Sequence, residues 1–189
     1  MGVLFQVSAE EMVELRNRIF TERGVPNLLL NGYEKAPFSS SWNGKEDFGG
    51  YNYEFCRLRE GYLEFLHIYI TKGDSWIEMQ LNVFEIHPPI TFMEELQEIS
   101  HIKYILPPAV RTSMRLRFDD YIWIPIITPF CFRKHKIGRF FTRWGLNREV
   151  KKLEHLIAKD MAHINSFVSR WHELHIPYRM DREGNIIEK

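Results

Sequence analysis

The sequence predicts an α+β fold: a single domain over 1–189, with an antiparallel meander sheet of about four to six strands covered on one face by an N-terminal helix and a long C-terminal helix. Three observations predict it. Runs with strand periodicity, parted by two-residue turn signals, fill residues 51–86. Helical periodicity with capping signals marks the beginning and the end of the chain. A length of 189 residues closes one substantial core and is short for two.

The first helix is read from "SAEEMVELRNRIFTERG", residues 8–24. Ser8 and Glu11 stand at capping-box spacing, Met12, Val13, Leu15, Ile19 and Phe20 recur on one side, and Gly24 supplies a stop. From 25 to 50 the periodicity dissolves into Pro26, Gly32, Pro37, Ser39 to Ser41 and Gly44, Gly49 and Gly50, which predicts a long functional or mobile loop. Strands are expected at "YNYEFCRLR" (51–59), "YLEFLHIYITK" (62–72) and "SWIEMQLNVFEI" (75–86), joined at Glu60-Gly61 and Gly73-Asp74. In the third, Ile77, Met79, Leu81 and Val83 alternate with Glu78, Gln80 and Asn82, the period of a strand with one buried face.

"FMEELQEISHIKYI" (92–105) reads as a short helix ended by Pro107 and Pro108. "SMRLRFDDYIWIPII" (113–127) alternates again, with Met114, Leu116 and Phe118 on one face and Pro125 marking an edge or a break. The long helix is placed at 147–175, capped by Asn147, where Leu153, Leu156, Ile157, Met161, Ile164, Phe167, Val168, Trp171 and Leu174 form one stripe. "DREGN" then turns the chain between "IPYRM" and "IIEK".

Composition excludes several function classes. Hydrophobic residues at 44%, aromatics at 14% and charged residues at 26% describe an ordered globular chain. The 25 basic and 25 acidic residues cancel, which argues against the positive field of a nucleic-acid binder. The charge is nonetheless uneven: residues 1–132 carry net −6, 133–152 net +7 and 153–189 net −1. Cys56 and Cys131 sit in apolar runs and read as buried hydrophobes of a reducing compartment. "MGVLFQVS" lacks a signal-peptide pattern and no run approaches membrane-spanning length, so a soluble cytoplasmic protein is expected.

Catalytic and metal signatures are weak, and neither a metal nor a cofactor is expected. His172 and His175 of "HELH" stand three apart, whereas the zinc-protease helix needs two histidines four apart. Gly49 and Gly50 lack the spacing, lysine and following helix of a phosphate loop. Asp119 and Asp120 would point to opposite faces of a strand, and a turn is their expected role.

At about 100° per residue, Asp160 falls inside the apolar arc of the long helix and Arg16 inside that of the first helix. A buried carboxylate is costly unless paired. The expected structural group is therefore a buried Arg16–Asp160 pair, with His163 one turn on, hydrogen-bonded to Asp160.

The most distinctive stretch is "FRKHKIGRFFTRWG", 132–145: five Lys or Arg, His135 and four aromatics in fourteen residues, with no acid. Such residues suit packing against the protein's own acidic portion, an acidic protein patch, single-stranded nucleic acid or an anionic membrane surface. Net neutrality ranks internal packing with partial exposure first, then protein binding. The resulting functional expectation is a non-catalytic intracellular binding protein whose partner offers an acidic surface, an inhibitor or immunity-type protein being one such form. Its contact residues are Trp42, Asn43, Lys45 and Asp47 of the loop with Arg133, Lys134, Lys136, Arg139, Arg143 and Trp144 of the basic segment. The rivals are a hydrolase or nucleic-acid-processing enzyme using His67, His163 and Asp160 or Asp119, and a nucleic-acid binding module using residues 132–152.

Overall fold

The structure, a computed structural model, describes residues 5–38, 43–96, 113–120, 135–183 and 185–188. Its frame is the expected meander. Glu60 and Gly61 both take positive φ (55° and 84°), which matches the right-handed twist of the strands they join, β3 (Tyr51–Arg59) and β4 (Tyr62–Ile70). Beyond a longer turn β5 (Glu78–Ile86) returns antiparallel to β4. The registers place Phe55, Leu66, Ile68, Met79, Leu81 and Val83 on one face, and Cys56, Leu63, Phe65 and Phe84 on the other.

Five short strands extend this frame, giving eight among the described residues. β1 (Glu34–Lys35) and β2 (Asn43–Lys45) share the outer edge of β3, while β6 (Met114–Arg115) and β7 (Tyr178–Met180) share that of β5. β8 (Ile186–Glu188) pairs antiparallel with β7, so the segments on either side of the turn expected at "DREGN" form a hairpin. β7 runs parallel to β5, a pairing that needs a long crossover and obtains it from the C-terminal helices.

The helices cover one face, as expected, but their limits differ. In α1 (Ala9–Ile19) the capping box forms: Glu11 N–H donates to Ser8 Oγ at 3.1 Å and Ser8 N–H to Glu11 Oε2 at 2.8 Å. Gly24 does not stop the helix. The chain continues through one π-helical turn (Phe20–Gly24) into α2 (Val25–Leu30), and a Cβ at Gly24 would lie 2.8 Å from the Phe20 ring and 3.2 Å from Ile157. The glycine serves close helix packing, and Gly32, at φ 81°, follows the end of α2. The expected 25–50 loop therefore holds α2, β1 and β2.

The expected 147–175 helix is two helices that begin four residues earlier. α3 (Arg143–Ala162) is capped by Thr142, whose Oγ1 accepts from Gly145 N–H at 3.0 Å, and α4 (Ile164–Leu174) follows a break at His163. Both halves bury their apolar stripe in the same core, so the stripe carries no mark of the break. Of the expected 113–127 strand, Met114–Arg115 forms β6 and residues 116–120 turn around Arg117, at φ 60°. Of the expected 92–105 helix, Met93–Leu96 forms a 3₁₀ turn. Residues 97–105 and 121–127 lie outside the described residues.

The main core joins the sheet to the helices through Phe20, Ile157, Phe167 and Trp171. A second, smaller core on the opposite face gathers Cys56, Phe65, Phe84, Ile90, Leu96 and Tyr178. Cys56 is buried there and its thiol is pushed up by that burial, while Cys131 lies outside the described residues. No described helix is long and apolar enough to cross a membrane.

Candidate interaction surface

The basic segment is built on a short antiparallel bridge. Ile77 N–H donates to His135 O at 2.8 Å and Ile137 N–H to Ser75 O at 3.1 Å, so His135 and Ile137 turn inward while Lys136 turns out. The chain then bends, and Thr142 opens α3 with Arg143 and Trp144 in its first turn, where no acid stands. Phe140 is half-buried with its ring 6.1 Å from that of Phe5. Phe141 and Trp144 instead stand 79% and 72% exposed, with Arg148 stacked 5.4 Å from the Trp144 ring. Lys136, Arg139 and Arg143 are exposed around them. Glu149, the single acid of the basic block, is held below the usual glutamate pKa, first by its hydrogen bond from Lys152.

Cations in the first turn of a helix oppose its dipole, whose N-terminal end is already positive. Arg143 and the neighbouring Arg139 and Arg148 thus form a ridge whose electrostatics favour an incoming anion. Against it lies a cleft of about 880 Å³ between α1 and α3, with Phe5, Val7, Leu15 and Leu146 as apolar lining and Glu14 and Arg143 on its walls.

The other predicted surface reaches the same end of the molecule. Lys45 bonds Glu10 and Glu14 of α1 at 3.4 and 2.9 Å, and Lys72 bonds Glu10 at 2.6 Å. Lys72 and then Lys45 hold the Glu10 carboxylate below its usual range, the Tyr51 hydroxyl at 2.6 Å and then Lys45 do the same for Glu14, and the two carboxylates push Lys45 up to about 12. Asp47 is exposed in the β2–β3 turn beside Phe48, which is 94% exposed, whereas Asn43 is half-buried with its Oδ1 unpartnered. Trp42, Arg133 and Lys134 lie outside the described residues. The two sequence-predicted surfaces therefore flank the N-terminal half of α1, where Phe48, Phe141 and Trp144 add exposed aromatics.

The buried charges pair differently from the sequence expectation. Arg16 and Asp160 are both buried, yet they do not pair with each other. Arg16 donates to three backbone oxygens, Trp76 O at 2.5 Å, Thr71 O at 3.0 Å and Met12 O at 3.1 Å, and so ties α1 to the β4–β5 turn. Asp160 is held by Arg117, whose Nε reaches Oδ2 at 2.8 Å while Nη2 reaches Oδ1, and by His135 Nε2–H at 2.8 Å. Burial opposes the Asp160 carboxylate, but the Arg117 and His135 hydrogen bonds outweigh it and hold its pKa below the usual value. His163 is exposed, with Nδ1 on Lys159 O at 2.8 Å, because the helix ends there and turns its ring outward. Arg117 and His135 escaped sequence reasoning since neither lies on a periodic helix.

The residues of the enzyme reading are not brought together. His67 lies on the opposite face of the sheet from the helices, its Nε2–H donating to Asn52 Oδ1 at 2.5 Å, with Glu54 at 3.6 Å. Burial pushes it down to about 4. Asp119 accepts from Arg115 within the 116–120 turn, at 2.8 Å from the backbone N–H and 3.0 Å from Nε. Among the described residues no group of three His, Cys, Asp or Glu could hold a metal. Comparison with protein-family models, curated proteins and solved structures returns no match.

Proposed function

We propose that this is a non-catalytic binding protein of the cytoplasm that docks an acidic surface of another protein onto the ridge at the start of α3. One observation carries the reading: Phe141 and Trp144 stand exposed among Arg139, Arg143 and Arg148 at the positive end of a 20-residue helix. Desolvating two aromatics and satisfying that charge by an acidic partner would supply both anchors and orientation. Lys45, Asp47 and Phe48 across α1 extend the contact. An inhibitor or immunity-type protein that neutralises an enzyme by docking is one form of this function.

The test is affinity capture from extract of the source cell, with and without nuclease, using the wild-type chain beside the triple variant Arg139→Glu, Arg143→Glu, Trp144→Ala. The expected result is a stoichiometric, nuclease-resistant partner that the variant loses while its unfolding curve stays in place. Equal recovery by both chains refutes the ridge as the anchor, and recovery abolished by nuclease refutes a protein partner in favour of nucleic acid.

A further inference from the structure

A second site lies away from this ridge, between the β3–β4 turn and α4. A cleft of about 380 Å³ runs there, and Glu64 lines it. Glu64 belongs to the row of β4 that otherwise presents Leu66, Ile68 and Ile70 to the main core, and its side chain is 3% exposed. Three donors converge on one of its oxygens: Tyr33 Oη–H at 2.5 Å, Arg57 Nη2 at 2.6 Å and Arg57 Nε at 3.0 Å, all to Oε2. Among the described residues none reaches Oε1. Arg57 is itself fixed from every side, donating also to Asn31 O at 2.7 Å and Asn165 Oδ1 at 2.8 Å. A buried ion pair returns little stability against an apolar pair of similar volume, so stability alone does not account for this one.

The cleft selects by charge and shape. Of the charges on its lining, Glu64 is neutralised by Arg57, which lies behind the lining, and Arg59 pairs with Glu60 at 3.3 Å. A net anion or cation gains little from such a site. Several hydrogen-bonding groups on the lining are free to meet a ligand: Glu64 Oε1 and the Ser169 hydroxyl make no hydrogen bond among the described residues, nor do the Tyr62 hydroxyl and the His172 ring, and Asn165 Nδ2 makes only a long one, 3.5 Å to Asn31 Oδ1. Beside them the Tyr62 ring meets the His172 ring edge-on at 5.4 Å, an aromatic wall on the same cleft. A neutral ligand with hydroxyls along one edge and C–H bonds on its face matches this combination. We infer that the cleft binds a small saccharide, with Glu64 Oε1 accepting a hydroxyl, Asn165 and Ser169 donating to its oxygens, and the Tyr62 ring against its C–H face. The volume accommodates one or two sugar rings.

Saturation-transfer NMR on the full chain tests the site, with glucose, galactose, mannose and N-acetylglucosamine as probes and ethylammonium and acetate as charged controls. Transfer to at least one sugar, in the millimolar range, is expected from the wild type. Ser169→Phe fills the cleft from an exposed helical position and leaves the Glu64 network untouched, so it should weaken binding by about tenfold or more. Glu64→Gln should do the same, and Ser169→Phe keeps the test decisive if that variant fails to fold. Phe92→Ala, at an exposed position outside the lining of the cleft, should bind as the wild type does. Absence of transfer to any sugar, transfer confined to the charged controls, or binding unchanged in Ser169→Phe would each overturn the assignment.

Discussion

Replacing Asp160 with Asn would expose how the buried charges are wired. The substitution keeps shape and removes the charge that Arg117 and His135 share, in a site where Asp160 is 1% exposed. Breaking a buried pair costs about 3–5 kcal/mol. Since the Arg117 side chain is 21% exposed, water recovers part of that cost, and about 3 kcal/mol is expected. For a chain of this length the loss lowers Tm by roughly 6–12 °C. Urea unfolding of a double-mutant cycle then separates the partners. Arg117→Met with Asp160→Asn should show a coupling above about 1 kcal/mol, whereas Arg16→Met with Asp160→Asn should add to within about 0.5 kcal/mol. The pH dependence has a defined sign. The folded pKa of Asp160 is lowered, so its contribution is full above the unfolded value near 3.8 and is lost as pH falls through the folded value. The gap between wild type and Asp160→Asn should therefore persist at neutral pH and close only below about pH 4. Strong coupling in the Arg16 cycle, or an Asp160→Asn chain as stable as wild type at pH 7, would refute the pairing described above.

Three further outcomes are expected. His67 should titrate near 4 by NMR, and because its folded pKa is depressed from 6.5, stability should fall by up to about 3 kcal/mol as pH drops from 6.5 toward 4, a slope that His67→Gln reduces. Thr142→Ala should cost about 1 kcal/mol as the loss of a helix cap, while Asn147→Ala, inside α3, should change stability by less than about 0.5 kcal/mol; equal losses would move the cap back to Asn147. Gly24→Ala should destabilise by about 1–3 kcal/mol in thermal unfolding despite its helical backbone, because the added methyl meets Phe20 and Ile157.

Local signals in the sequence determined the meander, its turn at Glu60-Gly61, the capping box of Ser8 and Glu11, and the burial of Arg16 and Asp160. Each depends on residues within a few positions of one another, through strand alternation, helical spacing or turn chemistry. The tertiary structure alone decided the rest. The short strands β1, β2, β6 and β7 exist because an edge of β3 or β5 lies beside them, and two or three residues carry no periodicity of their own. The break at His163 leaves the apolar stripe continuous, since α3 and α4 pack on one core. Asp160 finds Arg117 at 43 positions' separation and His135 at 25, and Glu64 finds Tyr33 at 31. A helical wheel identifies a charge that needs a partner, but the choice among distant donors is made by which segments the sheet and helices bring within hydrogen-bonding distance.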